Sequence, residues 1–198
     1  MKSIYKDYCK LKYNGEIELT SHSIECGFCG NKVAPNTGYY LNSGYEDIYI
    51  YKCPQCSNPI IYNSNSEETF PGAMYGREVK GLPENIQTLY DECRTNYSNK
   101  CYTSSQMIAR TLLMHIAVEQ GAKEGETFAK YIDYLDNNHY IPPNGKDWVD
   151  FIRKSGNVAN HEIIIKEKEE TEKVITFLSS LLLFIYELPN EMSGDEKS

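Results

Sequence analysis

Two Cys-x-x-Cys pairs, Cys26-Gly-Phe-Cys29 and Cys53-Pro-Gln-Cys56, stand 23 residues apart and constrain this chain more than any other feature in it. Each pair forms a tight knuckle that presents both sulfurs to one side, so the two together supply the four thiolates that a tetrahedral Zn²⁺ requires. Iron suits the same four sulfurs, and zinc is expected because it is the usual occupant of closed structural sites. Two disulfides, or four ordinary buried thiols, are the alternatives. No basic start followed by an apolar run precedes a cleavage-like site. A cytoplasmic location is therefore expected, and reduced thiols hold metal more readily there than they form disulfides. His22 lies four residues before Cys26, but four cysteines already complete a structural shell. Cys9 is left as a free thiol.

The segments around the knuckles read as strands. Gly38-Tyr-Tyr-Leu41 and Asp47-Ile-Tyr-Ile-Tyr-Lys52 are rich in aromatic and β-branched residues, with turn chemistry at Asn42-Ser-Gly-Tyr45, and form a hairpin. Pro59-Ile-Ile-Tyr62 adds a third strand. Ile17 and Leu19, alternating with Glu16 and Glu18, suggest a further short strand before the first knuckle. Residues 1–62 are thus expected to form a three-stranded zinc ribbon with an N-terminal extension. Its tyrosines can stack on bases, but the chain holds 17 Tyr along its whole length, and ordinary strand packing is the simpler use for them.

Residues 63–83 are polar and punctuated by Gly and Pro, which marks a linker. Beyond it the apolar period lengthens from two to about 3.6. Ile86, Leu89, Tyr90 and Cys93 line a first helix. A second, from about Tyr102 to Gln120, carries a stripe of Ile108, Thr111, Leu112, His115 and Val118 and stops at Gly121. His115 reads as a hydrogen-bonded core histidine, and Cys93 and Cys101 as small core hydrophobes. A third helix runs near Thr127 to Asn137, and a last one from about Glu172 to Leu188, closed by Pro189. The apolar part of that last helix, Val174–Tyr186, is too short for a bilayer, which needs about 20 residues. The expected architecture is α+β: ribbon 1–62, linker 63–83, helical bundle 84–189 and a flexible tail 190–198.

Charge narrows the class of partner. Of 20 Lys/Arg and 28 Asp/Glu, residues 81–198 hold 12 and 19, so the helical half is acidic. With a net charge of −8 the chain lacks the general basicity that drives non-specific phosphate-backbone binding, although a local basic pocket is compatible with it.

One segment collects chemistry: Asp147-Trp-Val-Asp-Phe-Ile-Arg153-Lys-Ser-Gly-Asn157-Val-Ala-Asn-His161. On an unbroken helix Arg153, Asn157 and His161 share a face at i, i+4, i+8. If Gly156 ends that helix, Asn157 caps a new one and Arg and His flank its start, where anions are favoured. The structural alternative is that Arg153 and His161 bond carbonyls or carboxylates and hold helices together.

The order of these pieces is informative: a four-cysteine ribbon, Leu82-Pro83 opening a helix, Ala109-Arg110, Asp147-Trp148, Ile152-Arg153-x-x-Gly156-Asn157-x-x-x-His161, and a last helix ending Tyr186-Glu-Leu-Pro189. Over residues 22–189 it resembles an uncharacterised bacterial family within the HEPN-like helical superfamily. That resemblance implies a helical bundle, often a homodimer, whose relatives include metal-independent ribonucleases of toxin, phage-defence and RNA-processing systems. It implies Arg153, Asn157 and His161 as catalytic residues, with His161 as general acid or base on a ribose 2′-hydroxyl and Arg153 stabilising phosphate charge. In this chain seven residues separate Arg153 from His161, a longer spacing than in those enzymes, and Lys154 follows the Arg. The other reading is a non-catalytic adaptor or inhibitor that docks onto a protein partner. Neither reading involves a membrane.

Overall fold

A computed structural model describes residues 17–42, 47–141, 145–156 and 164–194. The chain divides into two units, the first running to Met74 with Ser98–Lys100 added, the second comprising Tyr75–Tyr97 and the residues from Cys101 onward.

In the first unit, the hairpin expected between the knuckles is formed by β4 (Thr37–Asn42) and β5 (Asp47–Lys52), and β6 (Pro59–Asn63) pairs antiparallel with β5. The turn at 43–46 lies outside the described residues. The sheet has five strands rather than three, in the order β1-β4-β5-β6-β7, because β1 (Ile17–Glu18) and β7 (Glu68–Phe70) cover its two edges. Two more short strands, β2 (Ile24–Glu25) and β3 (Lys32–Val33), form a separate ribbon around the first knuckle.

The segment expected as a linker is therefore divided. Its polar run is a hairpin turn, in which Asn63 Oδ1 accepts from the backbone of Asn65 at 2.9 Å and the β7 strand returns onto β6. An Asn side chain mimicking a backbone turn gives the same composition as a linker. Register puts Tyr49 opposite Tyr40 and Tyr62, and Tyr51 opposite Ile60, on one sheet face. Ile24, Val33, Tyr51, Ile60 and Tyr62 are buried together there. Tyr51 and Tyr62 are thus packing residues, as the simpler expectation has it.

The second unit is helical: α1 (Glu84–Ser98), α2 (Tyr102–Glu119), α3 (Phe128–Asn137), α4 (Lys146–Gly156), α5 (Lys168–Leu182), then a π-helical turn (Leu183–Glu187) and α6 (Leu188–Gly194). Helix α2 packs on α3 and α5, and α3 packs on α4. Ile86, Tyr90, Cys93 and Tyr97 supply the buried stripe of α1. Cys93 is a core residue as expected, its Sγ set 3.3 Å from the Ser105 carbonyl of α2.

The stripe of α2 is rotated from the expected one. Its buried residues are Ser105, Gln106, Ala109, Leu112, Leu113, Ile116 and Ala117, and His115 and Thr111 are exposed. The alanines mark the face where neighbouring helices approach closely, a cue that a search for large apolar residues passes over. Cys101 is also exposed, at the N-cap of α2, not in the core.

Pro189 does not close the last helix. It falls in the first turn of α6, where a missing N–H is tolerated, and the helical path continues through the π turn to Gly194. Glu187, buried in that π turn, accepts the backbone N–H of Lys80 at 2.7 Å. The tail expected to be flexible from residue 190 is helical as far as it is described. Among the described residues no helix is long and apolar enough to cross a membrane.

Candidate metal centre

The four cysteines meet at one point. Cys26, Cys29, Cys53 and Cys56 bring their sulfurs within 4.8 Å of one another. Cys26 Sγ lies 3.7 Å from Cys56 Sγ, and Cys29 Sγ 3.8 Å from Cys53 Sγ. A tetrahedral ion with bonds of about 2.3 Å to sulfur has edges of about 3.8 Å between its ligands. A disulfide needs about 2.05 Å. The donor set and its spacing therefore fit a tetrahedral thiolate-bound metal, and all four residues are free cysteines.

Both knuckles are built alike. Gly30 N–H donates to Cys26 O at 2.8 Å, and Ser57 N–H to Cys53 O at 2.9 Å. Cys26 N–H donates to Asn31 O at 3.0 Å, and Cys53 N–H to Asn58 O at 2.9 Å. Each turn needs a left-handed residue after its second cysteine, Gly30 at φ 67° and Ser57 at φ 62°. Glycine adopts that conformation freely, whereas serine does so at a cost.

Gly27 is a site residue that pattern reading passed over. A Cβ there would lie 2.3 Å from the Pro71 carbonyl oxygen and 2.4 Å from that of Gly72, so the backbone at 71–72 approaches the first knuckle only because Gly27 has no side chain. The motif writes this position as x, and the contact comes from a segment more than forty residues away.

Burial pushes the Cys26 thiol up, against the opposing N–H groups of Phe28 and Cys29. Burial also raises Cys56, opposed by the backbone and side chain of Asn58. Burial acts against the Cys29 thiolate too, but the Asn31 side chain and N–H, with the Cys26 and Cys56 sulfurs, bring it down to about 7. A thiolate is thus accessible at Cys29 near neutrality, and a bound cation would deprotonate the others.

His22 is not among the clustered ligands. Its Nδ1 is 2.6 Å from the Tyr51 hydroxyl, which itself donates to Thr20 O at 2.5 Å. Its ring lies against Tyr49 and Tyr62, with centroids 4.8 and 4.7 Å away. It belongs to the tyrosine cluster.

In the helical unit, Arg153 sits in the last turn of α4 with its guanidinium against two carboxylates: Asp133 of α3, in ion-pair contact, and Asp150 one turn earlier at 3.4 Å. Asp133 had no place in the sequence motif, since only the packing of α3 on α4 brings it to Arg153. Asn157 and His161 lie outside the described residues, and helix α4 is described to Gly156. Nearby, Tyr140, Ile141, Gly145, Trp148, Phe177 and Phe184, with three α5 residues, line a slot of about 280 Å³. Two of those three, Thr176 and Ser180, already donate to the carbonyls of Glu172 and Thr176.

Fold and site together define an α+β protein with a four-cysteine site able to hold a metal and a separate helical domain. Residues 91–197 match the family described as a domain of unknown function, DUF4145, and since this is more than half of the chain, the protein belongs to that family. The matched residues fall in the helical half, and the cysteines precede them. No curated protein and no solved structure matches the chain.

Proposed function

We propose that this protein is a zinc-stabilised module with a HEPN-like helical domain that works by binding a protein partner, with Arg153 in a structural role. The observation that supports this most directly is the engagement of Arg153 by Asp133 and Asp150. A cation already facing two carboxylates offers little net charge to a phosphate, and recruiting it for catalysis would leave both acids uncompensated. The slot supports the same reading. Its lining carries no charged side chain among the described residues, and its hydroxyl protons are committed, so it suits an apolar side chain of a protein better than a nucleotide. Its volume lies at the lower end for small-molecule sites, about 300 Å³, which also favours a single anchoring side chain.

The RNA-directed effector role, with cleavage by Arg153, Asn157 and His161 in a homodimer, rests on the superfamily resemblance. One experiment separates the two readings. The full chain, incubated with single-stranded RNA without divalent metal, should leave the RNA intact, and Arg153→Ala should lower the thermal stability of the helical unit slightly, by about 0–1 kcal/mol for a partly exposed pair. RNA cut to 2′,3′-cyclic phosphate ends, with loss of that activity in His161→Ala at unchanged stability, would overturn the binding reading. The single tryptophan, Trp148, lies in the slot, so its emission should change saturably with a Phe-bearing peptide.

A further inference from the structure

The two knuckles share a longer repeat than Cys-x-x-Cys. Cys26-Gly-Phe-Cys29-Gly30-Asn31 and Cys53-Pro-Gln-Cys56-Ser57-Asn58 both read Cys-x-x-Cys-x-Asn, and in each the Asn carbonyl receives the N–H of the first cysteine. The Asn side chains turn back on the second cysteine. Asn58 Nδ2 donates to Cys56 Sγ at 3.3 Å, and Asn31 Nδ2 donates to Cys29 O at 3.3 Å.

Charge explains why an amide belongs there. A divalent ion with four thiolates carries a net charge of −2, and Cys26 and Cys53, both fully buried, take half of the ligand set out of water. Charge in that position needs hydrogen-bond donors. Amide N–H groups supply them: Phe28 and Cys29 to Cys26, and the backbone and side chain of Asn58 to Cys56.

We infer that Asn31 and Asn58 are positioning residues of the metal centre, with Asn58 holding the Cys56 sulfur in place through its side-chain amide. This rests on the zinc reading of the four cysteines and adds to it two residues outside the ligand set. The two sites differ in kind. Asn58 acts on a ligand atom, whereas Asn31 braces the backbone of its knuckle, so Asn58 carries the larger effect.

The test uses the full chain loaded with zinc, competed against a chromophoric chelator, alongside Asn58→Asp and Asn58→Ala. Aspartate keeps the shape and turn preference of asparagine but turns an acceptor toward the sulfur. Loss of affinity is expected, about 10- to 100-fold for Asn58→Asp and less for Asn58→Ala, with the thermal transition of the helical unit unmoved. The Co²⁺-loaded Asn58→Asp protein should also show a displaced sulfur-to-metal charge-transfer band. Equal zinc affinity in Asn58→Asp and the parent protein would overturn the inference. So would equal losses in both variants with an unmoved Co²⁺ band, since that outcome assigns Asn58 to the turn alone. A parent chain that takes up no stoichiometric zinc would remove the metal reading itself, a result distinct from a tight parent site that is indifferent to Asn58.

Discussion

The two units solve the same stability problem with different means. Among the described residues the β unit buries seven hydrophobic residues, two of them the proposed ligands Cys26 and Cys53, whereas the helical unit buries a contiguous set of 24. A core of seven is too small to offset the ordering of more than fifty residues, so such a unit needs a staple. The helical unit has area enough to stand on packing alone. Polar contacts follow the same division. In the helical unit they join helices, as where Gln106 Nε2 donates to Thr171 Oγ1 at 3.0 Å between α2 and α5. In the β unit they converge on the sulfurs.

The comparison breaks most visibly if the staple is removed. Cys53→Ser, or exhaustive chelation, should unfold the β unit and leave the helical unit with its own cooperative transition, since structural zinc contributes an apparent 10–16 kcal/mol in small metal domains. Circular dichroism with metal analysis is the check, and loss of both transitions together would show that the units are not independent. The converse perturbation is smaller. Leu178→Ala in α5, at a fully buried position, should cost the helical unit about 2–5 kcal/mol in denaturant unfolding while zinc content stays stoichiometric.

Alkali should discriminate the units next. Burial raises Tyr90 to about 12 and Cys93 to about 11, both in the helical core. Each group stays protonated in the folded chain after its unfolded counterpart has ionised. Their contribution is therefore fully present below about pH 9 and is lost as pH rises through 11 and 12, at about 1.4 kcal/mol per unit of displacement for each group. Thermal unfolding of the helical unit at pH 7 and 10.5 measures it, and an unchanged midpoint would contradict the burial of both groups. The smallest effect sharpens the contrast between the knuckles. Ser57→Gly, which relieves a left-handed serine where the first knuckle already has Gly30, should stabilise the β unit by about 1 kcal/mol.

Much of this was legible in the residues. The cysteine spacing pointed to the cluster, strands β4, β5 and β6 follow from alternation of aromatic and β-branched residues, and α1 and α3 from apolar period. Short edge strands were not legible, because two or three residues hold no period, and the Asn63 turn has the composition of a linker. The phase of α2 was misread because its tightest face is marked by Ala109 and Ala117 rather than by large side chains.

What the sequence determined by itself is local: which residues can donate sulfur, where a knuckle can turn, and which segments alternate or coil. These depend on neighbours a few positions apart. Only the tertiary structure decided that Gly27 must lack a side chain, that His22 belongs to tyrosines rather than to the sulfurs, that His115 faces solvent, and that Arg153 is held by Asp133. Each of those depends on a group brought from elsewhere in the chain, and the distance at which it arrives is set by packing, which no local pattern encodes.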